Sequence, residues 1–339
     1  MTIDLRSDTV TRPSDGMREA MHAAELGDDV YGEDQRMNDF QVQMAELFGK
    51  ESALFMPSGT MANAVAINVH ARAGDSILVE ENSHCELYEA GGAAALSGMQ
   101  FQSLPFEDRL NIQAIQSAVV GDHLQSSPTR IFVGENTHNF AGGLWRGSGE
   151  WAEAKTVLGD VIMHCDGARI WNAHIASGEA LDQLCLSFDS VSICFSKGLG
   201  APIGSILLGG GEFIERARKI RKRLGGGMRQ VGFLAAACEF AVNEQLSDLE
   251  LDHQRAKQCR DELSGWTGTE VRMNERMTNM VYFKTENGGP GFSERCAKNG
   301  LLLHQLPDGW IRLVFHRDLE EHQIPELCAI LKRTLKSES

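Results

Sequence analysis

The sequence predicts an α/β protein with its ligand site at the carboxyl edge of a mostly parallel sheet. Short apolar segments rich in β-branched and aromatic residues alternate with helical or glycine-rich stretches, a pattern typical of strands joined by crossover helices. The 35 glycines cluster at the ends of these segments, where turns belong. The length of 339 residues allows two domains, or one large domain with a smaller one.

The first predicted elements are a polar arm and two amphipathic helices. Apolar residues recur at helical spacing after Ser14, so a helix starts there, and a second helix ends at Gly49. The methionines of both helices repeat at this spacing, so we expect them in the core. The predicted bounds are residues 2–13 for the arm, 27–34 for the intervening loop and about 35–48 for the second helix.

Six apolar segments follow as predicted strands of one sheet. They are residues 53–56, 77–79, 131–133, 161–163, 191–195 and 203–208. Residues 211–264 are nearly all helical in pattern, and the chain then changes to strand-like segments at 280–283 and 311–315 with a helix after Asp318. We therefore predict an arm at 1–13, a large domain at 14–250 and a small α+β domain at 251–339.

Composition excludes several classes of protein. The net charge of −15, from 47 acidic and 32 basic residues, argues against nucleic acid or an anionic membrane as a partner. The longest apolar stretch, residues 232–242, is too short to span a bilayer, and the N-terminus lacks the pattern of a signal peptide. The eight cysteines contain no C-x-x-C motif. These features predict a reduced, cytoplasmic protein without a metal site.

Reactive or phosphate-binding groups follow five of the predicted strands. Ligands bind at the carboxyl ends of strands in open α/β sheets, so these groups are expected to meet. The segments are residues 57–63, 81–84, 135–139, 164–169 and 195–202. In the first, Gly59 allows close approach of the backbone and the helix start offers free N–H groups to a phosphate. A plain helix cap by Ser58 or Thr60 is the alternative.

Asp166 and Lys197 form the most informative pair. They lie about one strand–crossover–strand unit apart, so both should project into one cleft. A lysine that forms a Schiff base and an aspartate that keeps a ring nitrogen protonated are the pair that a pyridoxal-phosphate enzyme needs. His84 would supply a planar neighbour for the ring. A structural ion pair between Asp166 and Arg169 is the alternative interpretation of the acid.

Eight motifs occur in a characteristic order along almost the whole chain. They are residues 4–13, 27–32, 57–61, 135–139, 166–169, 196–202, 225–230 and 312–314. In these motifs the chain resembles the low-specificity L-threonine aldolases, fold-type I pyridoxal-phosphate enzymes of the aspartate-aminotransferase superfamily. The resemblance implies a seven-stranded sheet in the large domain. It also implies retro-aldol cleavage of L-threonine, L-allo-threonine and related β-hydroxy-α-amino acids to glycine and an aldehyde.

The resemblance also implies which residues bind pyridoxal 5'-phosphate. They are Gly59, Thr60, His84, Asp166, Arg169, Lys197, Lys222 and Arg229. Among them, Lys197 resembles the Schiff-base lysine, Asp166 the partner of the ring nitrogen and His84 the ring-stacking histidine. Lys222 and Arg229 would reach the cofactor phosphate of a neighbouring subunit, in a homotetramer built from dimers with shared active sites.

Substrate contacts are implied in the same way. Ser7, Arg169 and Arg312 match groups around the substrate carboxylate, where bidentate arginine would set the orientation. His138 matches a histidine near the β-hydroxyl, and Tyr88 an aromatic position near the substrate side chain. The implied catalytic residues are Lys197, His84, His138 and Asp166. His84, His138 or a water between them could take the β-hydroxyl proton, and the sequence leaves this open.

Three alternative functions are considered. Another pyridoxal-phosphate reaction on the same fold, such as an aminotransferase, a β-eliminating lyase or a cysteine desulfurase, is the first. A nicotinamide-dependent oxidoreductase is suggested by residues 91–94, although the G-x-G-x-x-G spacing after a strand is absent. A non-catalytic binding protein on the same scaffold is the third, and the intact lysine, aspartate and phosphate turn argue against it.

Overall fold

The computed structural model describes residues 2–286 and 288–336. The strands are β1 (Ile3–Asp4), β2 (Ser52–Met56), β3 (Ser76–Glu80), β4 (Gln100–Leu104), β5 (Thr129–Glu135), β6 (Ile162–Gly167), β7 (Ser190–Cys194), β8 (Ser205–Gly209), β9 (Thr269–Val271), β10 (Met280–Thr285), β11 (Leu301–Leu302), β12 (His304–Gln305) and β13 (Ile311–Val314).

The helices separate these strands along most of the chain. They are α1 (Asp15–His22), α2 (Gln35–Leu47), α3 (Gly59–His70), α4 (His84–Leu87), α5 (Gly92–Ser97), α6 (Ile112–Ala118), α7 (Ser148–Leu158), α8 (Ile170–Ser177), α9 (Leu181–Cys185), α10 (Gly211–Arg223), α11 (Gly232–Gln245), α12 (Asp248–Ser264), α13 (Phe292–Lys298) and α14 (Gln323–Lys336). A short 3-10 helix covers Asp8–Val10. The long helical stretch predicted for residues 211–264 is confirmed as α10, α11 and α12.

A seven-stranded, mostly parallel sheet forms the centre of the molecule, as predicted. Its strand order is β2-β8-β7-β6-β5-β3-β4, and β8 runs antiparallel to both of its neighbours. The other six strands run in one direction, so their carboxyl ends lie at the same edge. The functional groups predicted to follow β2, β3, β5, β6 and β7 are therefore on one side of the molecule.

Side-chain caps explain where the first helices begin. The Ser14 side chain accepts a hydrogen bond from the backbone N–H of Met17, and Asp34 accepts one from that of Met37. Each bond satisfies an N–H that would otherwise lack a partner in the first helical turn. Met17, Met37 and Met44 are fully buried, which confirms their predicted place in the core.

Strand β4 was not predicted, because it lies at an edge of the sheet. It pairs with β3 alone within the sheet and carries Gln100, Gln102 and Ser103 instead of an apolar run. An edge strand packs fewer apolar side chains than a central one, so the apolar signal is weak. The buried central strands gave the strong signal: every residue of β3, β7 and β8 is buried.

The apolar core separates into two main clusters. The larger contains residues between Met17 and Leu249 around the seven-stranded sheet. The second contains residues between Ala256 and Leu331 around the sheet β12-β13-β10-β9, and it also includes Ile3 and Leu5 of the arm. Strand β1 pairs with β11, which explains this inclusion. The two clusters support the proposed boundary near residue 250, with the arm lying against the C-terminal part.

Two further features bear on the predicted environment of the chain. All eight cysteines are buried free thiols. None of the helices in the described ranges combines the length and the apolar content that a membrane crossing needs.

Candidate active site

An acidic cluster lies at the carboxyl end of β6. Asn63 Nδ2 donates to Asp166 Oδ2 and to Glu89 Oε1, both at 2.9 Å. His84 Nδ1 lies 3.2 Å from the same Glu89 oxygen. Glu135, at the end of β5, accepts from the backbone N–H of His84 at 2.8 Å. Three buried carboxylates and one histidine therefore share a small volume, with Asn63 joining two of the acids.

This cluster holds more negative charge than its own residues neutralise. Burial raises the pKa of Glu135 to about 7, and the charge of Asp166 contributes to the shift. Burial likewise raises the pKa of Glu89. Burial alone would lower the pKa of His84, but its hydrogen bond to Glu89 and the charges of Asp166 and Glu135 raise it. The site therefore favours a ligand that brings a proton donor or a positive charge.

The donor set fits the ring nitrogen of pyridoxal phosphate better than it fits a metal ion. His84, Glu89 and Asp166 offer ligand atoms within 4.8 Å of one another, a composition that could hold a cation. However, the Asn63 NH2 group already points a donor at both carboxylates, and a metal ion would face those hydrogens. A protonated ring nitrogen needs only one carboxylate oxygen, which Asp166 supplies.

The start of α3 fits a phosphate. The Ser58 side chain caps this helix by accepting a hydrogen bond from the backbone N–H of Met61 at 3.1 Å. Ser58 is therefore a helix cap, which was the alternative interpretation of this segment. Thr60 makes no such cap and is exposed. A Cβ at Gly59 would lie 2.7 Å from Cys194 Sγ, so only glycine fits against the end of β7. The free N–H groups of the first turn remain available to an anion.

Lys197 faces the same cleft from the turn after β7. It is half-buried, and its backbone carbonyl accepts from Thr11 Oγ1 at 2.8 Å and from the Gly200 N–H at 2.8 Å. Its charge opposes the rise in the pKa of His84 and helps to lower the pKa of Asp8. The turn is thus fixed by hydrogen bonds to the Lys197 carbonyl, and the amine is near enough to both His84 and Asp8 to act on them.

Arg169 pairs with Asp8 and not with Asp166, so the structural ion pair considered from the sequence is wrong. Arg169 Nε and Nη2 donate to the two Asp8 oxygens, each at 2.7 Å. Both side chains are buried. Burial would raise the pKa of Asp8, but Arg169 and Lys197 hold it well below its usual range. The bidentate pair fixes the plane of the guanidinium.

Asn139 joins the two arginines predicted to bind the substrate carboxylate. Its Oδ1 accepts from Arg312 Nη1 at 3.2 Å and from Arg169 Nη1 at 3.5 Å, and its backbone carbonyl accepts from the Tyr282 hydroxyl at 2.9 Å. Within the described residues, Arg312 Nε is buried and has no hydrogen-bond partner. Ser7 lies beside this group, with its Oγ 3.4 Å from Asp8 Oδ1. The arrangement leaves a donor for an anionic ligand.

His138 is a buried, neutral histidine. In the described part of the chain both of its ring nitrogens lack a hydrogen-bond partner. Burial lowers its pKa to about 3, and the nearby charge of Arg146 acts in the same direction. Its ring lies against that of Phe106, with centroids 4.6 Å apart. The ring is therefore held against Phe106, and a backbone group of Glu81 also acts on it.

A cavity of about 390 Å³ opens beside His138. Its lining residues are Glu81, Asn82, Phe106, Asp108, His138, Phe140, Ala141, Leu144, Arg272, Met273, Asn274 and Met277. Tyr88 stacks on His84 at 5.7 Å on one side and on Phe140 at 5.5 Å on the other. This row of rings joins the acidic cluster to the cavity wall. Tyr88 is thus placed between them, and its predicted place near the substrate side chain stays a prediction.

The sequence matches the family described as "Beta-eliminating lyase" over residues 4–286. The chain belongs to the beta-eliminating lyase family. The match covers the whole seven-stranded sheet and every site residue described above except Arg312.

Curated relatives narrow the position within the beta-eliminating lyase family. Low-specificity L-threonine aldolase 1 of Arabidopsis thaliana is 40% identical over 331 residues, covering 94% of this chain and 92% of that protein. The low specificity L-threonine aldolase of Escherichia coli (strain K12) is 40% identical over 330 residues, covering 96% and 97%. The predicted family resemblance is confirmed.

Solved structures confirm the fold predicted for this family. The threonine aldolase of Leishmania major superposes with a TM-score of 0.83 at 18% identity, covering 98% of this chain and 99% of that one. The serine palmitoyltransferase of Sphingomonas wittichii gives 0.76 at 14% identity, covering 99% and 88%. Identity at this level supports the architecture only.

In this lyase, Lys222 and Arg229 lie outside the acidic cluster. Both are exposed, and Arg229 pairs with Asp28 at 3.1 Å. Their buried neighbour Arg221 pairs with Asp29 at 2.6 Å, which anchors the end of α10 to the loop before α2. Two exposed cations on an anchored segment are available to a second subunit, so their predicted role stays a prediction.

Five polar residues of the site carried no individual prediction. They are Asp8, Asn63, Glu89, Glu135 and Asn139. Asn63 had a usable signal, because it follows Gly59 by one helical turn and must share its face. Asp8 and Asn139 lay inside the recognised motifs, but their partners are far away in sequence. Glu89 gave no signal beyond its closeness to His84.

The structure argues against the nicotinamide alternative for this lyase. Gly91 has a left-handed backbone and begins the short helix α5, which follows α4 and not a strand. A dinucleotide-binding turn joins the first strand of the fold directly to a helix. Residues 91–94 therefore do not form one.

Proposed function

We propose that this protein is a pyridoxal-phosphate-dependent aldolase that cleaves L-threonine, L-allo-threonine and related β-hydroxy-α-amino acids to glycine and an aldehyde. The observation that carries the proposal is the meeting of Arg169 and Arg312 on Asn139, in the cleft that also holds Lys197 and the acidic cluster. A carboxylate site beside a lysine and a ring-nitrogen acid defines an amino-acid substrate. The threonine aldolases of A. thaliana and E. coli support the reaction type.

The residues of this chain divide the work of holding the cofactor. Lys197 would supply the amine for its aldehyde carbon, Asp166 would accept the ring N–H, and Gly59 and Thr60 would receive the phosphate at the start of α3. His84 would supply a planar neighbour for the ring. When bound, pyridoxal phosphate supplies an electron sink for the pair left on Cα as the Cα–Cβ bond breaks.

The arginines determine which bond of the substrate breaks. Only the bond held perpendicular to the cofactor ring can pass its electrons into it. Arg312 offers its free Nε–H to the substrate carboxylate, while Asp8 keeps Arg169 from rotating. Fixing the carboxylate in this way would set the orientation of the Cα–Cβ bond, and such orientation would contribute to lowering the barrier.

His84 and His138 differ in how well each could act as the base that removes the β-hydroxyl proton. A base works best when its pKa lies near the working pH. Although burial acts against it, the hydrogen bond of His84 Nδ1 with Glu89 and the charges of Asp166 and Glu135 raise the pKa of His84, so its ring holds a proton more readily than an ordinary histidine. With a pKa of about 3, His138 is a poor base, but its neutral ring can orient the hydroxyl. We assign proton removal to His84 and orientation to His138.

The cavity beside His138 accommodates a substituent larger than a methyl group. Its aromatic wall, formed by Phe106 and Phe140, suits a flat ring attached to the β-carbon. The test is to supply pyridoxal phosphate and to measure glycine and aldehyde from L-threonine, L-allo-threonine and phenylserine side by side. We expect all three to release glycine. Formation of 2-oxobutanoate and ammonia from threonine, without glycine, would instead identify a β-eliminating reaction, and formation of the 3-hydroxy-2-oxo acid without free ammonia would identify an aminotransferase.

Replacing Arg312 by alanine should mainly weaken substrate binding. The change removes the free Nε donor and the bond to Asn139, and a charged hydrogen bond contributes about 1.5–3 kcal/mol. We expect KM to rise by roughly 10- to 100-fold, with the visible spectrum of the bound cofactor unchanged. Arg295, on α13 in the C-terminal part, provides the control variant Arg295→Ala. Loss of cofactor from Arg312→Ala would show a structural role.

We also propose a cytoplasmic homotetramer, a dimer of dimers, in which Lys222 and Arg229 reach a partner's cofactor phosphate. Their exposure on an anchored segment supports this. Sedimentation would measure the assembly. A monomer that binds pyridoxal phosphate as tightly as the assembled form would contradict the shared site.

A further inference from the structure

A line of buried polar residues extends beneath α3, starting from Asp166 of the acidic cluster. Strands β6 and β7 carry His164 and Asp166 opposite Ser190 and Ser192, respectively. All four are almost completely buried in the middle of the sheet. Burying any of them there without a hydrogen-bond partner would destabilise the fold. The line therefore needs a role beyond filling the core, where apolar side chains would pack equally well.

The two carboxylates fix the orientation of the Asn63 amide. Its NH2 group lies 2.9 Å from Asp166 Oδ2 and from Glu89 Oε1, and ionised carboxylates only accept hydrogen bonds. The amide oxygen therefore faces the other way and must accept. It receives Ser192 Oγ–H at 2.5 Å and His164 Nε2–H at 3.1 Å. The proton of His164 is thus on Nε2.

This tautomer determines the direction of the next two bonds. Because Nε2 of His164 carries the proton, its Nδ1 accepts from the Ser190 hydroxyl at 2.8 Å. The Ser190 oxygen in turn accepts from His70 Nε2 at 3.0 Å. All donors from His70 through Ser190, His164 and Asn63 therefore point toward Asp166. His70 is the last residue of α3 and is half-buried, with its ring stacked on Phe213 at 4.6 Å.

Both histidines are neutral, as this direction requires. Burial lowers the pKa of His164 to about 4, against the opposing charge of Asp166. Burial also lowers the pKa of His70 to about 3. The charges of His164, Arg216 and Arg130 also oppose protonation of His70, and that of Asp189 favours it. At neutral pH each ring has one proton and one acceptor.

We propose that His70, Ser190, His164 and Asn63 form a one-way hydrogen-bond chain that donates to Asp166 and keeps it aimed at the cofactor ring nitrogen. These are positioning residues, since they act through Asp166. The inference rests on the proposed function in one respect, namely that Asp166 meets that nitrogen. Each bond polarises the next in a low-dielectric interior, so a break at the far end weakens donation to the carboxylate. It also frees His164 to change tautomer and the amide to turn over.

The groups around Glu89 define the expected pH dependence. Burial and the charge of Asp166 raise the pKa of Glu89, whereas its hydrogen bonds with His84 and Asn63 and the charge of His84 lower it. Weaker donation from Asn63 raises the pKa of Glu89 further, so this acid takes up a proton at higher pH. Binding of pyridoxal phosphate should then weaken as the pH falls, with its midpoint displaced upward relative to the unaltered chain.

The test compares variants that break or keep the chain. In His70→Leu the terminal donor is lost, whereas His70→Gln places an Nε2–H group at a similar position. Ser190→Ala breaks the chain one bond further in, and Ser76→Ala is its matched control: a buried serine at the start of β3 that bonds only to loop carbonyls. The measurements are the dissociation constant of pyridoxal phosphate from pH 6 to pH 9, the spectrum of the bound cofactor and the melting temperature.

We expect His70→Leu and Ser190→Ala to bind pyridoxal phosphate about three- to tenfold more weakly near neutral pH, with the upward displacement of the midpoint. His70→Gln and Ser76→Ala should retain the original profile. If His70→Leu keeps that profile, or if His70→Gln is as impaired as His70→Leu, the chain has only a structural role and the inference is wrong. Threonine cleavage is measured separately. If the unaltered protein does not cleave threonine, the proposed function is wrong, but the comparison of pyridoxal-phosphate binding between the variants still tests the hydrogen-bond chain.

Discussion

Lys197→Ala should reduce aldol cleavage by more than about 10⁴-fold, since removal of a covalently acting group has effects of this order. The side chain lies on a turn fixed by Thr11 and Gly200, so alanine removes the amine without disturbing the backbone. The cofactor should also lose the visible absorption that depends on its bond to the lysine. Steady-state assays with L-threonine and absorption spectra of the purified protein measure both effects.

Lys219→Ala is the matched control for this prediction. Lys219 is an exposed lysine on α10, with a side chain about 75% accessible and a 3.8 Å pair with Glu215. Its removal should change neither the rate nor the spectrum. Turnover in Lys197→Ala equal to that of the Lys219 variant would overturn the assignment of the lysine, and with it the proposed function.

The sequence predicted the fold well because the central strands are buried on both faces. Such strands read as uninterrupted apolar runs, and residues 131–133 and 191–195 fall within or overlap the observed β5 and β7. Edge strand β4 gave no such run and was missed. The same logic located the site, since Asp166 and Lys197 stand where buried strands end at one edge of the sheet.

Partners distant in the sequence could not be predicted from single motifs. Asp166 was expected to need a cation, and Arg169 was the nearest candidate along the chain. In the structure the partner of Arg169 comes from the N-terminal arm, and an amide from α3 serves Asp166. Which groups meet is decided by how the arm and α3 pack on the sheet. A sequence read one strand end at a time does not contain that information.

Asp8→Asn should produce the largest loss of stability among the site variants. The pair with Arg169 is buried on both sides, and removing one partner of such a pair costs about 3–5 kcal/mol because the remaining charge stays buried. The folded-state pKa of Asp8 is lowered, so its contribution is present above its unfolded-state pKa near 3.9 and is lost as the pH falls through the folded-state value. Urea unfolding at pH 7 and at pH 3.5 measures this contribution.

Glu262→Gln, which breaks an exposed ion pair, is the control for Asp8→Asn. Glu262 pairs with Lys332 at 2.7 Å, but both side chains are about half exposed, so screening by water limits the loss to less than about 1 kcal/mol. The gap in unfolding free energy between the unaltered protein and Asp8→Asn should narrow as the pH falls below 4. A loss in Asp8→Asn no larger than in Glu262→Gln would show that Arg169 is not held by this pair. Some other contact would then have to fix the plane of the Arg169 guanidinium, on which the orientation of the substrate carboxylate depends.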